Sequence, residues 1–196
     1  MGVKDFSVKR ITYKTCKAFC LIWHYSQTCP PGKLYYGLYD GVNLIGVICY
    51  GEPAMRFQKA CYKADIELRR LCCVDDTPKN TESFFIGSTL KKLKKMGYSK
   101  VLSLADPRFN HTGLVYRASN FMFEGEEKGG GSRLVIIDGV EMHSRTAFAK
   151  YGASGKKSLL KILPLSDIRI INKPRKLAFT YQLNRKKRNV FKEGRS

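Results

Sequence analysis

ADIELRRLCCV (residues 64–74) is followed by DDTPKNTES (75–83), FFIGSTLKKLKKMGYS (84–99), KVLSLADPRF (100–109) and, after NHT, GLVYRASNFMFEG (113–125). The first run is apolar and long enough for a mostly buried strand. The polar stretch after it carries Asp75, Asp76, Pro78 and Asn80, a loop composition in which Asn80 or Thr81 can cap a helix. In the helix that follows, Ile86, Leu90, Leu93 and Gly97 mark one face, and Lys91, Lys92, Lys94 and Lys95 lie largely opposite. Lys100–Leu104 reads as a second strand, Gly113–Ser119 as a short helix, and Phe121–Phe123 as the start of a third strand. The order strand, loop, helix, strand, helix, strand predicts an α/β domain.

Outward from this segment the pattern continues. Phe6–Ile11 predicts an opening strand. Thr15 is a candidate N-cap for a helix in which Cys16, Phe19, Cys20 and Trp23 recur at helical spacing, with Trp23 expected in the core. Pro30, Pro31 and Gly32 require that helix to stop near Gln27. Leu34–Tyr39 and Leu44–Tyr50 are apolar strands joined through Asp40-Gly41, a hairpin dipeptide. Residues 129–131 predict a flexible turn before a strand at Leu134–Ile137. Beyond Val140, HSRTAFAKYG and SLLKIL predict short helices and KLAFTY a late strand. The expected organisation is one domain over 1–183 and a basic tail over 184–196.

Charge is the compositional outlier. The 196 residues carry 36 Lys+Arg against 16 Asp+Glu, a formal +20. Such a field attracts polyanions, which makes DNA or RNA the expected partner and disfavours a cationic polyamine substrate. The seven cysteines form no CxxC pair, and no leader-like or membrane-spanning apolar run is present. This predicts reduced thiols in a cytoplasmic setting, packed mainly as small apolar side chains rather than as a zinc site.

Four places can carry chemistry. The helix start at Asn80 and Ser83 is an anion site in principle, since its N–H groups and dipole favour phosphate, although no glycine precedes Gly87 and Asp75, Asp76 and Glu82 add negative charge. In ELRRL, Glu67, Arg69 and Arg70 are charges inside an apolar strand. Either Glu67 and an Arg form a structural pair, or an Arg faces the cofactor or substrate from the strand that edges the cleft. At a strand's carboxyl end, Asp106 can accept a proton or hydrogen bond from an amine, with His111 and Tyr116 as acid or orienter and Arg108 beside them; alternatively Asp106 caps the next turn and Tyr116 is core. Finally, His24, Tyr25, Ser26 and the Pro30–Lys33 turn can line a cleft facing the sheet. His24, Asp106 and His111 also make a 2-His-1-carboxylate set, but no spacing compels a metal and none is predicted. Asp106–Phe109 is only loosely similar to the DPPY motif of amino-group DNA methyltransferases: the second proline is missing, and so is their glycine-rich cofactor motif.

The order and spacing of 64–125 are similar to those of acyl-CoA-dependent N-acyltransferases, the GNAT-like fold. More specifically, the chain resembles the Mom family of bacteriophage DNA-modification proteins. The resemblance runs through His24-Tyr25-Ser26 with Pro-Gly-Lys, Gly46-Val47, ELRRL, Ser83, Ser103-Leu-Ala-Asp106-Pro107, His111-Thr-Gly113, Tyr116-Arg-Ala118, His143-Ser-Arg145 and, more loosely, KPRKLAF. It implies a GNAT-like fold with a mixed central sheet flanked by helices and a basic C-terminal extension. It also implies an enzyme of the infected host's cytoplasm that converts adenine N6 in DNA to a carbamoylmethyl (acetamido) form and shields the DNA from restriction. On this basis Asp106, Tyr116, His24 and Tyr25 are expected in catalysis. Arg69, Arg70, Ser83 and Asn80 are expected on acetyl-CoA or a related acyl donor, and His111, Lys33, Arg108 and Arg145 on the DNA substrate. Two other readings stay open: an N-acetyltransferase acting on an amine of a modified base, tRNA or protein, and a non-enzymatic DNA-binding anti-restriction protein.

Overall fold

The computed structural model describes residues 5–128 and 133–184. The turn expected at 129–131 and the tail from residue 185 lie outside the described residues. Strand β1 (Ser7–Arg10) leads into helix α1 (Tyr13–Trp23). The helix is capped by Thr12, whose hydroxyl accepts the Thr15 N–H at 3.1 Å, so the cap lies three residues before the expected one. It also ends earlier than expected, at Trp23. His24 is already extended, and Gln27 turns the chain back at φ 46°. Trp23 is half exposed on Phe19 rather than in the core.

The hairpin β2 (Leu34–Asp40) and β3 (Asn43–Gly51) turns at Gly41, whose φ of +57° suits glycine. A short helix α2 (Arg56–Tyr62), for which the sequence pattern gave no signal, precedes β4 (Ile66–Cys73). Then follow α3 (Thr81–Lys95), β5 (Lys100–Ala105), a single 3-10 turn (Pro107–Phe109), α4 (Leu114–Ala118) and β6 (Met122–Glu126). The chain next makes an excursion through β7 (Arg133–Ile137), β8 (Val140–His143), α5 (Ser144–Tyr151), α6 (Lys156–Ile162) and β9 (Ile168–Asn172), and returns as β10 (Leu177–Gln182). Strands β8 and β9 were not anticipated. They complete a separate three-stranded sheet, β8-β7-β9, over its own core of Val135, Ile137, Ala147, Leu159 and Ile168.

The main sheet runs β1-β2-β3-β4-β5-β10-β6. Its neighbours are antiparallel except β4 and β5, which are parallel and paired only at Ile66–Val101, Glu67–Leu102 and Leu68–Ser103. Beyond Leu68 the two strands part. From Arg69 onward the edge that β4 turns toward β5 has no strand partner, and this parting opens the cleft described below. Helix α3 seals one face of the sheet with Phe85, Ile86, Leu90 and Leu93 against Tyr36, Ile48, Tyr50, Leu68 and Val101, as its apolar stripe predicts. Helix α1 packs the other face through Cys16, Phe19 and Cys20 against Val47, Cys49 and Cys72.

Candidate active site

A cleft of about 840 Å³ opens where β4 and β5 part. One wall is β4 from Glu67 to Leu71, the floor is Leu104–Asp106, and the rim is formed by His24, Tyr25, the 110–116 segment, Arg145 and Lys176. Of the residues expected from sequence, His24, Tyr25, Arg69, Arg70, Asn80, Ser83, Asp106, His111, Tyr116 and Arg145 all line it. Two do not. Lys33 is tied to the Glu52 carboxylate at 2.6 Å, away from the cleft, and Arg108 reaches it only through Asp106.

Asp106 is buried and held by Arg108. Its Oδ1 accepts from the Arg108 backbone N–H at 3.2 Å and from Arg108 Nε at 3.0 Å, and its Oδ2 from Arg108 Nη2 at 2.6 Å. Burial works against the charged carboxylate, but the two-pronged Arg108 contact outweighs it and holds Asp106 below its usual range. Asp106 is thus both a turn cap and a fixed negative charge at the cleft floor.

Glu67 contrasts with it. It is buried, and its Oε2 accepts only the Ala54 N–H at 2.9 Å. The Glu67–Arg ion pair open from sequence does not form. Burial raises Glu67 above the ordinary carboxylate range, only partly offset by the Ala54 N–H and the Arg69 charge. The sequence offers Glu67 only a structural pairing. Its missing partner, visible only in three dimensions, makes it the carboxyl of the cleft best suited to exchange a proton.

The arginines hold loops. Arg69 donates to the carbonyls of Pro31 and Glu52, and its Nε is buried without a hydrogen-bond partner. Arg70 donates to Thr28 O at 2.9 Å, Thr28 Oγ1 at 3.0 Å and its own neighbour's carbonyl, Arg69 O, at 2.7 Å. Together they pin the 24–33 segment, with His24 and Tyr25 at its head, to the parted strand.

His24 Nδ1 accepts the Ser26 backbone N–H at 3.1 Å, with the Ser26 hydroxyl 2.8 Å away, so its proton resides on Nε2. Burial, then the charges of Arg70 and His111, lower its pKa to about 4, and the ring is neutral at neutral pH. Its ring lies 4.3 Å from Tyr25, which in turn lies 4.3 Å from Phe109 and 4.7 Å from His111. Three rings of this four-ring group at the cleft mouth are legible in the sequence; Phe109, two residues before His111, is the one that is not. Tyr116 packs on Phe121 and Phe179, and its hydroxyl interacts with Ser103. Burial pushes its pKa up to about 12, so it stays a proton donor.

At the far end of the cleft lie the α3 N-terminus with Asn80 and Ser83, and Lys79. Asn80, at φ 72°, makes no side-chain cap, which leaves the helix start open toward the cleft. An acyl thioester fits this layout: the unpartnered β4 edge offers backbone groups to an extended amide-bearing arm, and the helix start with Lys79 suits a phosphate. The His24–Asp106–His111 set does line one cleft. Among the described residues, however, the group of potential metal ligands lying within 4.8 Å of one another is a different one, Cys16, Cys20 and Cys29.

The family model for the Mom protein family matches residues 5–195. The chain belongs to the Mom family. It is 30% identical over 154 residues to the Methylcarbamoylase mom of Escherichia phage Mu, an alignment covering 74% of this chain and 63% of that relative's length. Solved structures similar to it are N-acetyltransferases. The ribosomal-protein-S18-alanine N-acetyltransferase of Escherichia coli aligns over 95% of this chain and 99% of its own, with TM-score 0.53 at 6% identity. A GNAT family acetyltransferase of Elizabethkingia anophelis with acetyl-CoA bound aligns over 91% and 98%, with TM-score 0.51 at 9% identity. At such identities these likenesses establish the fold, which is GNAT-like. Among the described residues no helix is long and apolar enough to cross a membrane.

Proposed function

We propose that this Mom-family chain is a phage DNA-modification enzyme that adds a carbamoylmethyl group to adenine N6, with the group's donor bound in the β4–β5 cleft. The observation that carries the reading is the aromatic group Tyr25–Phe109–His111 at the mouth of a cleft lined by two carboxyls of opposite character, Glu67 and Asp106. The +20 charge and the rim cations Lys79, Arg145 and Lys176 suit a polyanionic substrate. The phage Mu relative is called a methylcarbamoylase, which supports a reading in which a small amide-bearing group is transferred.

Adenine N6 is a weak nucleophile because its lone pair is delocalised into the ring, and its edge is hidden inside the duplex. The base must leave the stack, and exposed aromatic faces such as Tyr25 and Phe109 receive an extruded base. Asp106, kept ionised by Arg108, accepts a hydrogen bond from the N6 amine and fixes its direction without taking the proton. Glu67, whose proton affinity is raised by burial, takes the proton as the new N–C bond forms. Forming the N6–CH2 bond of a carbamoylmethyl group requires a donor whose methylene carbon carries the leaving group, since plain acyl transfer from a thioester would give an N6 amide instead. As that carbon–leaving-group bond breaks, Tyr116, protonated throughout, donates to the departing group.

The test is mass spectrometry of nucleosides from plasmid DNA of cells expressing the chain. A new deoxyadenosine mass, absent with Asp106→Ala and strongly reduced with Glu67→Gln, is expected. A new mass on another nucleoside would overturn the adenine assignment. Unmodified DNA from cells holding folded protein, together with DNA-only thermal stabilisation of the chain, would favour a non-enzymatic DNA binder.

A further inference from the structure

The sequence predicts that the seven cysteines pack mainly as small apolar side chains and form no zinc site. Four of them converge. Cys16 and Cys20 are one turn apart on the buried face of α1, Cys29 comes from the loop after it, and Cys49 comes from β3 beneath. Cys16 Sγ and Cys29 Sγ are 3.8 Å apart, and the sulfurs of Cys16, Cys20 and Cys29 all lie within 4.8 Å of one another. Cys49 Sγ adjoins them: it reaches the Pro30 carbonyl at 3.7 Å, the same oxygen that Cys29 Sγ reaches at 3.8 Å.

That spacing has a chemical meaning. Four sulfurs at about 2.3 Å around a tetrahedral ion stand about 3.8 Å apart. A disulfide holds its sulfurs at about 2.0 Å, so these are separate thiols. Cysteines used for packing meet carbon neighbours, whereas here the sulfurs meet one another, from three different elements. The sulfurs are buried in an apolar cluster with Phe19 and Val47, and Cys72 is a further buried thiol of the same cluster.

We propose that Cys16, Cys20 and Cys29, with Cys49 as the fourth sulfur, bind a thiophilic divalent cation of the zinc class. Binding displaces a proton from each ligating thiol and leaves thiolates on the ion, with no change in oxidation state. Three thiolates leave the site at −1 and four at −2, and the positive charges of Arg70, acting on Cys20, and of Arg69, acting on Cys49, offset part of it. Arg70 is also the residue that holds Thr28. The ion would tie the end of α1 and the 24–33 loop onto β3, and so fix the segment that carries His24 and Tyr25 to the cleft. The site is structural: it lies behind the cleft wall and is closed by its own sulfurs.

The measurement is the metal content of untagged, reduced protein by inductively coupled plasma mass spectrometry, followed by exchange with Co2+. Expected are about one zinc-class ion per chain, an intense sulfur-to-cobalt charge-transfer band, and release of protons when the apo chain is loaded. Ion and band should vanish in Cys16→Ala and Cys29→Ala and persist in Cys61→Ala. Because an alanine in this core can unfold the chain, the wild-type cobalt spectrum decides on its own. No retained ion and no sulfur band, or a cobalt spectrum of nitrogen and oxygen donors alone, as His24, Asp106 and His111 would give, overturns the proposal. So does a pair of thiols lost to a disulfide in the freshly purified protein.

Discussion

Protonating His24 should destabilise the fold, and the effect can be calculated. Its Nδ1 accepts the Ser26 N–H, so a second ring proton abolishes that contact and introduces a buried charge beside Arg70. The native pKa of about 4 lies below the ordinary 6.5. The native state therefore binds fewer protons than the unfolded one between these values, and stability is present above pH 6.5 and lost as pH falls toward 4. At about 1.4 kcal/mol per pH unit, the full loss is about 3 kcal/mol, of which about 2 kcal/mol has gone by pH 5. Urea unfolding of wild type and His24→Gln at pH 7.5, 6.5, 5.5 and 5 isolates this contribution from all other titrating groups. The wild type should lose about 2 kcal/mol more than the variant between the extremes. Parallel curves for the two proteins would refute the account of His24 as a neutral, Nε2-protonated ring. So would an NMR titration placing its pKa near 6.5.

Tyr25→Ala should weaken binding of an adenine-containing single strand by about 1–3 kcal/mol, the worth of one stacked base, whereas Tyr25→Phe should bind nearly as wild type in a fluorescence-anisotropy titration. Arg108→Ala leaves Asp106 buried without its two-pronged partner. A loss of about 1–3 kcal/mol in denaturant unfolding and a clear drop in DNA modification are expected, with Arg108→Lys restoring only part of each. Gly113 stands at φ +77°, and a Cβ there would lie 2.1 Å from the Phe179 ring, so Gly113→Ala should lower stability by about 2 kcal/mol or more and disturb α4 with Tyr116, as thermal unfolding would read.

Much of this was legible along the chain because its signals are local. The apolar runs of β4 and β5 and the stripe of α3 follow from side-chain period alone, and they define the parted strand pair. Helix α2 gave no such signal: RFQKACY is short and buries only Gln58 and Tyr62. Strands β8 and β9 are four and five residues with mixed exposure, held by pairing to β7 rather than by any pattern of their own. The α1 cap moved from Thr15 to Thr12 because Thr12, still extended, can offer its hydroxyl to the Thr15 N–H.

The sequence by itself determined the α/β order, the basic character, and the cluster His24, Tyr25, Asp106, His111 and Tyr116 as the place to look. These rest on residue type and spacing, which a chain displays without folding. Tertiary structure alone decided how each group is partnered. It gave Asp106 to Arg108, left Glu67 with a single backbone donor, sent Lys33 to Glu52, turned Arg69 and Arg70 into loop braces, and gathered the sulfurs of Cys16, Cys20 and Cys29. Proton affinity and ligand geometry depend on contacts between residues up to tens of positions apart, and only the closed fold sets those distances.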